Sequence, residues 1–166
     1  MKKLILLALL AGLAWWYFDA SRRMTDAQIR ESYAQQTEAI RQFDAESLCK
    51  RLSDDFHGSQ LTQMGGQSVE QTFDKKALCD QQNKSIALMK RISDASGGLV
   101  ALDIELEIKN IELSANRKQA TVQTISTARL GDRTLSRDRT TEQLIRRDGR
   151  ILSTGGESKV WAYTPQ

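Results

Sequence analysis

His57 lies two residues after the pair Asp54-Asp55, with Phe56 between, and is the only histidine in 166 residues. An imidazole beside two carboxylates could in principle exchange protons with a substrate. Neighbouring residues point different ways, however, and no activated nucleophile is marked beside them. The aspartates therefore read as turn and cap residues, and His57 as a surface side chain after a helix end. Cys49 and Cys79 are the only cysteines, each preceded by a leucine. In an exported chain such a pair most simply forms a disulfide, two separate buried thiols being the alternative, and no Cys-x-x-Cys motif suggests redox work. One histidine and two cysteines would leave a zinc site incomplete without carboxylates, so neither metal nor cofactor is expected. Gly65-Gly66 and Gly97-Gly98 lack the lysine and the spacing of a phosphate-binding loop.

Charge narrows the partner classes further. Lys and Arg number 24 against 21 Asp and Glu, a near balance that does not imply nucleic acid. Arg129, Arg133, Arg137, Arg139, Arg146, Arg147 and Arg150 crowd the end of the chain, with Asp132, Asp138, Glu142 and Asp148 among them. They read as cross-strand ion pairs on a wet face, or else as a patch for an acidic partner or anionic lipid headgroups.

The elements that must position these residues begin with an export signal. Met1-Lys2-Lys3 precedes the apolar run LILLALLAGLAWWYF. Leu4 to Ala20 is 17 residues, roughly 25 Å as a helix and at the short end for spanning a bilayer. Trp15, Trp16 and Tyr17 resemble an interfacial belt at its outer end. Cleavage after Ala14 would leave Trp15 at the new terminus, and cleavage after Ala20 would put Phe18 where a small residue is wanted. The expectation is a signal anchor or transmembrane helix over 1–20, a linker over 21–24 and one domain over 25–166, a cleaved signal or a buried core helix being the alternatives. In a bacterial chain that means a single-pass protein held in the inner membrane through residues 4–20, its C-terminal domain in the periplasm.

Thr25 with Gln28 has the form of a capping box, so a helix should start near Asp26. Asp44 starts a second, short helix within Phe43–Phe56, FDAESLCKRLSDDF, with Leu48, Leu52 and Phe56 on one stripe. A short strand over His57–Met64 and the Gly65-Gly66 turn precede a third helix from Phe73-Asp74 to about Ser96-Gly97-Gly98. From Leu99 the period changes to two, with a bulge at Asn110. Strands over Gln119–Leu130, Arg137–Arg147 and Ile151–Thr164 follow, joined at Gly131-Asp132 and Asp148-Gly149, with Gly155-Gly156 breaking or bending the last. The predicted fold class is α+β: after the membrane-spanning helix, three helices pack on a curved, mainly antiparallel sheet of four or more strands.

This order of elements over about residues 25–164 resembles the nuclear transport factor 2-like superfamily, the cone-shaped fold that includes ketosteroid isomerase. The local pattern that carries the resemblance is Asp44 starting the second helix and Asp54-Asp55 ten residues later, with TTEQLIRRDGRI near the end. The resemblance implies a cone pocket and assigns three positions in it. Gln36 takes the place of the isomerase's oxyanion-binding tyrosine, with Tyr33 nearly one turn earlier. Gln60 takes the place of the base aspartate and cannot accept a proton. Glu142 falls where that enzyme holds a protonated acid. Thr124 and Ser126, on the small and partly polar face of a strand, complete the pocket candidates. The first functional expectation is therefore a non-catalytic, membrane-tethered domain that binds a protein partner or a small apolar ligand, or assists assembly, with the open sheet face available to a homodimer or another protein. The alternative is a small lyase or isomerase using Glu142 with Tyr33 or Tyr163. A deep pocket holding Glu142 and a polar partner would favour the enzyme, and a cone plugged by Leu, Ile and Met the binding role.

Overall fold

The structure is a computed structural model that describes residues 2–97 and 102–163. Leu99, Gly98 and Thr164, which mark expected boundaries, lie outside the described residues, as does the charge at Met1. The chain forms α1 (Lys2–Ala20), α2 (Asp26–Arg41), α3 (Ala45–Lys50), β1 (Leu52–Met64), β2 (Gln67–Asp74), α4 (Lys75–Ala95), β3 (Leu102–Leu113), β4 (Gln119–Leu130), β5 (Arg133–Arg147) and β6 (Arg150–Ala162). The six strands make one sheet in the order β2-β1-β6-β5-β4-β3. Every neighbouring pair is antiparallel except β1 with β6. The architecture is α+β with a curved mixed sheet.

Local signals set most boundaries. Thr25 accepts from the Gln28 amide while the Gln28 side chain accepts from the Thr25 amide, closing both halves of a capping box. Asp44 caps α3 and Asp74 caps α4 through the amides of Ser47 and Ala77. The hydroxyl and amide of Ser47 hold the Asp44 carboxyl below its ordinary range. That cap therefore contributes fully above the unfolded aspartate pKa and loosens as pH falls through the lowered folded value. Asp148 and Gly149 both take positive φ, the geometry of a two-residue hairpin. The β3 register shifts between Ile108 and Asn110, where the bulge is expected.

Three readings need correction. The second helix does not continue to Phe56. It ends at Lys50, and Leu52 opens β1 because Ser153 N–H donates to Arg51 O at 2.7 Å and draws the chain onto β6. The region before α4 holds a full hairpin, β1–β2, instead of one short strand. The Gly155-Gly156 pair does not interrupt β6. The strand runs through with a register shift beside it, Gln143 facing Gly155 and Leu144 facing Ser153. A side chain on Gly155 would overlap the carbonyl oxygen of His57, and one on Gly156 would come within 2.6 Å of the Thr141 oxygen. Gly155→Ala should therefore cost about 2–3 kcal/mol by overpacking the β1–β6 pairing, measurable as a lower urea midpoint.

Two apolar clusters hold the layers together. Met24, Ile29, Tyr33, Ala120, Val122 and Leu144 pack α2 on the middle of the sheet. Ala39, Leu48 and Ile86 join α2, α3 and α4. Met24, within the segment read as a linker, is fully buried. Cys49 and Cys79 are disulfide-bonded, with Cα atoms 5.4 Å apart, and tie α3 to α4. α1 forms as a helix, and among the described residues no helix is long and apolar enough to cross a membrane. Its described apolar side chains from Leu9 to Phe18 are exposed.

Candidate functional site

Period-two alternation and register bring one set of polar side chains to the concave face of the sheet. Asp138, Thr140 and Glu142 alternate along β5. Across β4 they face Ser126, Thr124 and Val122. Across β6, Thr140 faces Ser158 and Glu142 faces Gly156. α2 lies over this face and contributes Tyr33, Gln36 and Ile40 from successive turns.

Between them is a cavity of about 280 Å³, close to the lower bound of ordinary ligand pockets. Leu48, Leu52, Phe56, Phe73, Ile104 and Leu106 supply apolar wall. Tyr33, 3 % exposed, donates its hydroxyl to Glu142 Oε2. Burial, then the negative charge of Glu142 and this bond, push the Tyr33 hydroxyl far above its ordinary pKa, so it stays a proton donor. Arg51, between α3 and β1, stacks its guanidinium 5.3 Å from the centre of the Tyr33 ring and donates to the Ser32 carbonyl. Burial lowers the Arg51 pKa, while Glu142 and then Tyr33 oppose that shift.

A second polar group lies along the same wall. Ser126 donates to Asp138 Oδ1, and Thr140 Oγ1 lies 3.1 Å from Asp138 Oδ2 and 3.0 Å from Ser158 Oγ. With one hydroxyl proton, Thr140 donates to the carboxylate and accepts from Ser158. Two atoms in the lining have no partner: Gln36 Oε1 and Ser153 Oγ are buried without a hydrogen bond. A buried orphan costs about 1–3 kcal/mol. Ser153→Ala should thus raise the stability of the ligand-free protein by about 1 kcal/mol, read from thermal unfolding.

Tyr33, Gln36, Gln60, Thr124, Ser126 and Glu142 all line this one cavity. Gln60 turns its amide to Thr62 Oγ1 at 2.9 Å, so its side chain is already engaged within β1. Tyr163 does not join them. It sits half-exposed at the end of β6 beside Arg129, Thr134 and Arg137 on the other face. His57 is exposed, its Nδ1 2.9 Å from the Asp55 carbonyl oxygen, and Asp54 pairs with Lys75 at 2.7 Å. Arg51, Asp138, Thr140 and Ser158 belong to the lining without having been read from sequence. The alternation of Asp138 and Thr140 with Glu142 is the signal that could have found three of its members. Among the described residues no cluster of three or more His, Cys, Asp or Glu could hold a metal ion.

No family model matches the chain, and no curated protein matches it in sequence. Solved structures do match in fold. A candidate scytalone dehydratase from Novosphingobium aromaticivorans superposes with a TM-score of 0.57 at 11 % identity, covering 84 % of this chain and 88 % of that one. A nuclear transport factor 2-like protein of unknown function from Silicibacter pomeroyi gives 0.53 at 11 % identity, covering 82 % and 99 %. A similar protein from Cytophaga hutchinsonii gives 0.51 at 18 % identity, covering 82 % and 98 %. At such identities the likeness carries architecture and no activity. The chain has the nuclear transport factor 2-like cone fold.

Proposed function

We propose that this chain is a small-molecule-binding domain held at a membrane by α1. The observation that carries the binding role is the open cone. Its cavity keeps two buried, unpartnered polar atoms, Gln36 Oε1 and Ser153 Oγ, beside the Tyr33–Glu142 pair. A ligand of matching size would set its polar end against the Tyr33–Glu142 pair and the Asp138, Thr140 and Ser158 group and lay an apolar part on Leu48, Leu52, Phe56 and Ile104. The binding role comes before catalysis because Glu142 Oε2 is already engaged by Tyr33, while Gln60 offers no base. Thermal unfolding in the presence of extracted small molecules tests it. The expected result is stabilisation of the native chain that is lost in Thr124→Leu, and equal stabilisation of both proteins would sink it.

The second reading is a small lyase or isomerase. It is favoured by Glu142 standing inside the cavity with a phenol bound to it, a pair that could pass a proton to and from a substrate. The candidate dehydratase among the structural neighbours supports this class by fold analogy alone. Turnover that disappears in both Glu142→Gln and Tyr33→Phe would put this reading first.

The membrane role rests on α1. Its apolar side chains surround the helix and are exposed, Trp15 at 79 %. A helix apolar on every side buries itself in protein or in lipid. In a bacterial cell the domain would then face the periplasm. The expected result is that the protein resists alkaline extraction from membranes and is digested by protease added to spheroplasts. Release by alkali would contradict the tether.

A further inference from the structure

Three segments far apart in sequence converge where α1 meets the domain. Met24 N–H donates to Arg117 O at 2.7 Å, which brings the β3–β4 turn against the α1–α2 connection. Arg146 Nη1 donates to Arg23 O at 2.7 Å, bringing the β5–β6 turn to the same place. Lys118 reaches back to Asp19, near the end of α1, at 2.5 Å. The foot of the apolar helix is thus ringed by Arg22, Arg23, Arg117, Lys118 and Arg146. Asp19 is shared by Arg23, at 2.6 Å, and Lys118, and Asp148 sits in the β5–β6 turn. The cations exceed the acids in this rim. Arg22 lies over the Phe18 ring, 3.9 Å from its centre, so the basic rim and the apolar helix are one continuous surface.

We propose that this rim is a docking surface for anionic lipid headgroups, a proposal that rests on α1 entering the membrane. Exposed Trp15, Trp16 and Tyr17 are the side-chain types that settle at headgroup depth. Arg22 follows Trp15 by roughly 10 Å along the helix axis, which puts the rim at the level of the phosphates when the rings are at the interface. Guanidinium groups bind phosphate oxygens in a fork geometry, and an anionic leaflet attracts each nearby cation with a gain of about fivefold in partition. An acidic protein could meet the charge but would leave the aromatic helix uncovered. Lipid covers both.

The test is co-sedimentation of the full chain with phosphatidylcholine vesicles, with and without phosphatidylglycerol. The wild type should prefer the vesicles containing phosphatidylglycerol, and the preference should fade as salt is raised. The double variant Arg22→Gln/Arg117→Gln should bind those vesicles about 25-fold more weakly, two charges at about fivefold each, with binding to phosphatidylcholine unchanged. Arg22→Lys/Arg117→Lys, which keeps the charge, should keep the preference. Equal wild-type binding to both vesicle types overturns the docking surface and leaves the tether standing, as does an equal loss on both in the glutamine variant. A wild type that binds neither vesicle type overturns the tether and the docking surface together.

Discussion

Glu142→Ala should cost about 3 kcal/mol of folding stability, seen as a lower urea midpoint at unchanged slope. The carboxylate accepts from Tyr33, whose hydroxyl is buried, and its charge opposes the burial of Arg51. Removing it leaves a buried hydroxyl without an acceptor and a guanidinium without that anion. A buried hydroxyl left without its acceptor costs about 1–3 kcal/mol, and the lost attraction to Arg51, which keeps its bond to the Ser32 carbonyl, takes the loss to the upper end. Glu142→Gln retains an acceptor for Tyr33 and should cost about 1–2 kcal/mol, as should Tyr33→Phe. If the two side chains act on each other, the double variant Tyr33→Phe/Glu142→Ala will cost less than the sum of the singles. Additive losses would remove the pair from the account of the cavity.

Breaking the Cys49–Cys79 bond should be the other large effect. The bridge closes 30 residues of chain, worth about 3–4 kcal/mol in the chain-entropy description. It also acts locally. α3 has six residues, far below the ~12–15 that make an isolated helix even marginal. Leu48 and the bridge are therefore what keep α3 against α4. Leu48 from α3 and Leu78 and Gln82 from α4 line the cavity, so reduction should weaken ligand binding as well as stability. Cys49→Ser and reductant should give the same loss, with no further loss when combined. An unchanged urea midpoint under reductant would show that the bond contributes nothing.

What was legible in the sequence was local. The Thr25–Gln28 box, the Asp44 and Asp74 caps, the Asp148-Gly149 turn and the alternation over Gln119–Leu130 all act within a few residues, and the elements stand where those signals put them. Leu48, Leu52 and Phe56 misled for a physical reason. A spacing of four fits one face of a helix and also one face of a strand, so the apolar stripe did not separate them. The choice was made by β6, about a hundred residues away, through the parallel pairing of β1 with β6. β2 left no pattern because it is an edge strand and most of it is exposed. The resemblance placed Gln36, Gln60 and Glu142, and the structure puts all three around one cavity. Arg51 was hidden inside a helix read too long. Asp138 was hidden in a charge balance, as one of several acids among arginines, until register set it against Ser126.

Occupancy of the cone cavity by a small molecule is what the proposed binding role requires. Non-denaturing mass spectrometry of the full chain released from its own membranes, run beside Thr124→Leu, measures this directly. Thr124 is buried and lines the cavity, so leucine there fills the space while leaving Tyr33 and Glu142 in place. The expected result is a small-molecule adduct on the wild type that is missing from a folded Thr124→Leu protein. A bare wild type, or the same adduct on both proteins, would contradict it.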